Sequence, residues 1–185
     1  EDLEVASPAT VSRCGMIFLE PESLGIRTLV LSWVEFKLPT AAHPHREKLQ
    51  QLFDDYLEPA IAYVRRHSKE TAPTTDVGLT NSCLNIMDCY LANYTDPSEV
   101  EEPISETELE RLANTIEPLF CFALIWSVGC TTDQAGRDRF NKWMRERMAE
   151  KGVSMPFPDE GDVYDFMLDE GRPKAEDEES REPAW

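Results

Sequence analysis

The sequence predicts a mainly α protein, a helical bundle carrying one short strand, and three observations lead there. Between residues 44 and 66, Leu49, Leu52, Phe53, Tyr56, Leu57, Ala60 and Tyr63 recur at three- and four-residue spacing, the stripe of an amphipathic helix. Ser105 with Glu108 opens a second pattern that is apolar almost all round between residues 119 and 128, as a central buried helix is. Met16-Ile17-Phe18-Leu19, an unbroken apolar run closed by Glu20-Pro21, reads as a short buried strand.

Each element has local reasons. Ser7 before Pro8 is a helix start: the hydroxyl accepts a free N–H, and the missing proline N–H is harmless in the first turn. Gly15 stops that helix after one or two turns, so Arg13 sits at its end, just before the strand. A turn through Gly25 precedes a short helix over about residues 28–36, closed by Pro39. The helix from Pro44 carries Pro59 inside its pattern, and the ring should kink it. Arg65, Arg66 and Lys69 stand at its carboxyl end, where cations are favoured; a phosphate-facing patch is the alternative.

After a loop around Pro73, a helix starting near Thr75 or Asp76 aligns Leu79, Cys83, Ile86, Met87, Tyr90 and Leu91. Residues 93–103 form a polar acidic loop. Ser105 and Glu108 then make a capping box, and Ile104 with Leu109 a hydrophobic staple. Pro118 should kink or split the long helix that follows. Thr131 with Gln134 marks the start of a last helix, ended near Lys151 by Gly152, with Phe140, Trp143 and Met144 on its core face. Arg137, Arg139, Lys142, Arg145, Arg147 and Lys151 make it the one basic element, read as a solvated face or as a docking face for acidic surface. Met155-Pro156-Phe157-Pro158 and Val163-Tyr164-Asp165-Phe166 read as a strap laid on the fold. Residues 170–183 are acidic, almost without apolar residues, and expected to be mobile.

The 185 residues suffice for one core plus trimmings. A net charge of −18 argues against nucleic acid or an anionic membrane as partner, since both are polyanions. No run approaches the roughly 18–20 apolar residues of a membrane span. Five cysteines, Cys14, Cys83, Cys89, Cys121 and Cys130, lack C-x-x-C spacing and read as small buried hydrophobes in a reducing compartment. His43, His45 and His67 lie in loops or at a helix end and suggest no metal site. No phosphate-binding loop and no nucleophile–base pair are legible, so no catalysis is expected of this chain alone. The start at Glu1 without a methionine reads as a piece of a longer chain.

On chemistry alone, Arg13 is a cation stabilised by the carboxyl end of a short helix. The run Ala6-Ser7-Pro8-Ala9-Thr10-Val11-Ser12-Arg13-Cys14-Gly15-Met16, however, resembles the segment closing the large subdomain of the second AAA+ module of dynein heavy chains. Its Ser7-Pro8 form resembles the axonemal, ciliary members. Leu24-Gly25-Ile26 with Ser32-Trp33 is similar to the start of the helical small subdomain, where Ile26 departs from the usual tryptophan. Ile125-Trp126-Ser127-Val128-Gly129 with Asp133, Gly136-Arg137 and Phe140 resembles the same module, and Pro156-Phe157-Pro158-Asp159-Glu160-Gly161 its connector to the third.

The resemblance implies three parts: the end of the large subdomain at 1–20, the small or lid subdomain at 21–152, and a connector at 153–185, with Trp185 opening the next module's first strand. It implies that Arg13 is an arginine finger acting in trans on the first module's ATP site. The start of the helix at Asp76-Val77-Gly78 has no sensor arginine, which fits a module that holds nucleotide more than it hydrolyses it. The parent would be an ATP-driven, minus-end-directed microtubule motor of the ciliary or flagellar axoneme. ATP or ADP with Mg²⁺ would be bound in the ring but not by this fragment. Neighbouring AAA+ modules, the microtubule, and intermediate and light chains would be its partners. The rival reading is a free-standing helical scaffold that binds a partner through its basic helix and acidic tail.

Overall fold

A computed structural model describes residues 7–12, 24–94, 104–172 and 181–185. Seven α-helices are described: α1 (Pro8–Val11), α2 (Gly25–Phe36), α3 (Arg46–Leu52), α4 (Glu58–His67), α5 (Asp76–Leu91), α6 (Glu106–Ser127) and α7 (Gln134–Lys151). The described residues contain no sheet, only two isolated antiparallel bridges, Glu70 with Thr132 and Asp169 with Ala184. The expected strand at residues 16–19 lies outside the described residues.

The core forms around α6, which packs along α5 and against α3, while α5 packs on α2 and α7 on α4. Ile116, Leu119, Phe120, Cys121, Ala123 and Leu124 of α6 are fully buried. A chain of edge-on rings crosses the centre: Trp33 to Phe53 at 6.0 Å, Phe53 to Phe120 at 4.9 Å, Phe120 to Tyr56 at 6.0 Å. Trp33 anchors it by donating Nε1–H to Asp88 Oδ1 at 2.6 Å. By length and composition α6 is a helix that could cross a membrane, contrary to the sequence expectation; but 72% of that window is buried inside the bundle. Its apolar surface is already spent on the core.

Two prolines behave differently. The sequence predicts a kink at Pro59; the structure places a π turn at Phe53–Leu57 directly before it, and α3 and α4 continue on either side. The wider turn moves the carbonyls clear of the ring. Pro118 does not split α6, which runs unbroken through it. The start of α7 also differs from expectation. Asp133, not Thr131, is its cap, accepting the Gly136 N–H at 2.8 Å, while Thr131 lies in a 3₁₀ turn with its hydroxyl on the Val128 carbonyl. Gly152 ends α7 at φ +67, as predicted. At α6 the box is half made: Ser105 accepts the Glu108 N–H, whereas Glu108 turns to Arg111 and Arg172. Leu109, the outer half of the expected staple, is exposed.

Beyond α7 the strap lies on the bundle. Phe157, Val163 and Leu168 are buried, and Trp185 returns to stack on Phe157 at 4.1 Å and to donate to the Met155 carbonyl at 2.9 Å.

Candidate functional site

Ser7 builds the predicted start of α1: it accepts the Thr10 N–H at 3.3 Å, and Pro8 takes the first helical position. Arg13, the candidate finger, lies outside the described residues, as do Cys14 and Gly15. What the structure fixes is the short capped helix immediately before it.

The cleft nearest the start of the bundle, about 300 Å³, is floored by Ile26, Ile61, Ala62 and Val77 and rimmed by Glu58, Arg65 and Asp76. Two helix starts border it, those of α2 and α5. Gly25 takes φ +69, which lets α2 begin three residues earlier than the apolar pattern suggests. Thr75 caps α5 by accepting the Gly78 N–H at 3.1 Å; a Cβ at Gly78 would stand 3.0 Å from that hydroxyl oxygen.

No arginine stands at the start of α5, but one arrives there from α4. Arg65 donates to Glu70 Oε1, to Thr74 Oγ1 at 2.8 Å, to the Thr74 carbonyl at 3.0 Å and to Asp76 Oδ1 at 2.9 Å. Burial alone would lower its pKa, but Asp76 and Glu70 outweigh that and raise it. Sequence reasoning placed Arg65 at a helix end without seeing this destination, because the turn through Pro73 that folds Asp76 back is a tertiary fact. Both terminal nitrogens already have acceptors, and Glu58 and Asp76 repel phosphate. The described rim therefore does not by itself fit a nucleotide triphosphate.

The basic face of α7 is divided. Arg145 donates to the Pro158 carbonyl at 2.8 Å and the Gly161 carbonyl at 2.7 Å, pinning the strap. Asn141 helps, accepting the Val163 N–H at 3.1 Å and donating to Asp162 at 2.6 Å. Arg147 donates to the Asp55 carbonyl at 2.9 Å, and Lys151 pairs with the Asp55 carboxylate at 2.7 Å. Arg137 reaches the Cys130 carbonyl at 3.2 Å beside the Tyr164 ring. Arg139 and Lys142 remain on the exposed side. Four of the six cations on the face read as solvated are thus engaged within the chain, although none of the six is buried.

Under this face Lys48, Glu117 and Ser154 form a second node. Burial pushes the Glu117 carboxyl up, but the Ser154 hydroxyl and N–H and the Lys48 ammonium outweigh it and leave its pKa below the ordinary value. Among the described residues no group of three or more His, Cys, Asp or Glu could hold a metal. His43 instead contacts the Leu38 carbonyl at 3.1 Å. Cys83 and Cys121 are fully buried, and burial pushes the Cys83 thiol up to about 12. They are core residues, as expected, whereas Cys89, expected to be buried too, is exposed and Cys130 is half-buried.

Residues 49–175 match the dynein heavy chain AAA lid domain. The chain is 42% identical over 170 residues to dynein axonemal heavy chain 1 of Homo sapiens, a match covering 92% of this chain and 4% of that protein. It is 34% identical over 181 residues to dynein axonemal heavy chain 12 of Rattus norvegicus, covering 91% of this chain and 6% of that one. With dynein axonemal heavy chain 2 of Homo sapiens the identity is 32% over 170 residues, covering 91% and 3%. No solved structure matches. The chain therefore spans a small fraction of the relatives it resembles. A lid-domain match over well over half of the chain, on a bundle of the expected helices, means that the chain belongs to the dynein heavy chain AAA lid family, with relatives of the axonemal type.

Proposed function

We propose that this chain is the lid of the second AAA+ module in an axonemal dynein heavy chain, a ciliary or flagellar motor that uses ATP to move toward microtubule minus ends. The observation carrying this is the 42% identity to an axonemal heavy chain over 92% of the chain, which includes segments outside the lid match itself. In this reading residues 1–20 end the large subdomain, 21–152 form the lid and 153–185 lead to the third module. Neighbouring modules of the ring are its direct partners. The microtubule and the intermediate and light chains engage the parent motor.

Arg13 acts in this reading as a finger on the first module's ATP site. A guanidinium is always charged, and its planar fork bonds two oxygens at once, so it stabilises charge building on a γ-phosphoryl group. Support comes from the Ser7-capped helix directly before it, which gives the arginine a stiff base. Rotation of the module as a body would insert or withdraw it. The test is Arg13→Ala in the intact heavy chain. Microtubule-stimulated ATPase should fall at least about tenfold, within the 10³–10⁵ such a finger supplies in nucleotide hydrolases. Activity within about threefold of wild type ends this reading.

A further inference from the structure

We infer that the corner where the carboxyl end of α4 meets the amino half of α7 is a docking surface for an acidic segment of a partner protein. The chain carries 36 acidic residues against 18 basic ones. With acids in twofold excess, a cation should readily find one, and Arg46, Lys48 and Arg172 each do. Arg66, Lys69, Arg139 and Lys142 are exposed, and among the described residues their side chains make no ion pair or side-chain hydrogen bond.

Tertiary packing gathers these four. Tyr63 of α4 stacks on Trp143 of α7 at 5.3 Å and donates its hydroxyl to the Arg139 carbonyl at 3.3 Å. Asp133, the cap of α7, donates its N–H to the Lys69 carbonyl at 2.9 Å. Arg66 lies one turn beyond Tyr63, and Lys142 beside Trp143. The half-buried Tyr63–Trp143 pair thus makes an apolar floor bordered by cations from two helices and the loop between α4 and α5.

Charge complementarity selects the occupant. The two residues bracketing the chain's own acidic run both belong to the far end of α6: Arg172 pairs with Glu108, and Arg181 lines a cleft with Thr107 and Arg111. The corner adjoins the opposite end, where Thr71 donates its N–H to the Thr131 carbonyl. A helix of 22 residues separates them by about 33 Å. With the flanks of that run at the other end of the bundle, the occupant assigned to the corner is a partner's segment. A net charge of −18 repels an extended polyanion or an anionic bilayer. A short acidic peptide senses chiefly the charges within about 10 Å.

The experiment titrates the 185-residue chain into a fluorescein-labelled glutamate-rich dodecapeptide and follows anisotropy, with a glutamine-rich peptide as control. Binding of the glutamate peptide alone, weakened about tenfold or more between about 50 and 300 mM salt, is expected. The R66E/K142E chain should lose about tenfold or more in affinity, and R66Q/K142Q somewhat less. Thermal melts check that both remain folded; should the first not fold, the second decides. K37E should bind as wild type, because Lys37, another exposed cation without an ion pair, stands at the end of α2. Absence of binding, or an equal loss in K37E, overturns the inference. So does tighter binding of an RNA dodecamer or of phosphatidylserine vesicles that R66E/K142E abolishes, which would assign the corner to that class. No arm involves nucleotide or Arg13, so its failure leaves the arginine-finger reading untouched.

Discussion

Pro59 has no N–H to give, and that single absence organises contacts on two helices. The carbonyl four residues back, on Asp55, loses its α-helical donor. Arg147 of α7 supplies one at 2.9 Å, while Lys151 holds the Asp55 carboxylate. A proline that the sequence marks as a break thereby becomes the point where α7 is tied to the α3–α4 segment. Cysteine chemistry also belongs to this scale. Burial keeps Cys83 and Cys121 as thiols, Cys83 with its pKa raised to about 12, so at pH near 8 almost no thiolate forms. Cys89 is exposed. Native alkylation by iodoacetamide, read peptide by peptide in the mass spectrometer, should label Cys89 and spare Cys83 and Cys121 until denaturant is added. Labelling of Cys83 as fast as Cys89 would contradict the packing described.

At the scale of elements, caps decide where helices begin and glycines decide how closely they approach. The sequence marks Thr131 as the cap of α7, because Gln134 follows it at capping-box spacing. The 3₁₀ turn at Gly129–Thr131 takes Thr131 up instead, and Asp133, in extended backbone, accepts the free Gly136 N–H. Within that turn Gly129 lies against Phe140, where a Cβ would stand 2.5 Å from the ring. Asp133→Ala should cost about 1 kcal/mol in urea unfolding. Thr131→Ala, losing one half-exposed hydroxyl bond, should cost about half of that or less. Equal losses would restore Thr131 as the cap.

For the whole molecule, the question is what makes the strap part of the fold. Phe157, Val163 and Leu168 supply apolar burial, but Arg145 fixes the path through two carbonyls that no helix or sheet satisfies. Arg145→Ala should raise amide hydrogen exchange across residues 157–166 while α5 and α6 keep wild-type protection. Unchanged exchange in the strap would show that the aromatic contacts suffice. The helices, the left-handed stop at Gly152 and the central place of α6 were legible because capping chemistry and apolar spacing are local. The destinations of Arg65, Arg145 and Arg147 were not, since the acceptors described above lie 5 to 92 residues away along the chain. Arg13 was singled out by resemblance, and it lies outside the described residues.

Sequence by itself determined the helical class, most element boundaries and the family, because periodicity, caps and a near-identical run of residues are written in neighbouring positions. Tertiary structure alone decided which cations are spent inside the chain and which stand free at the α4–α7 corner. The reason is physical: a charge has no preferred partner along the chain, only through space, and folding sets those distances.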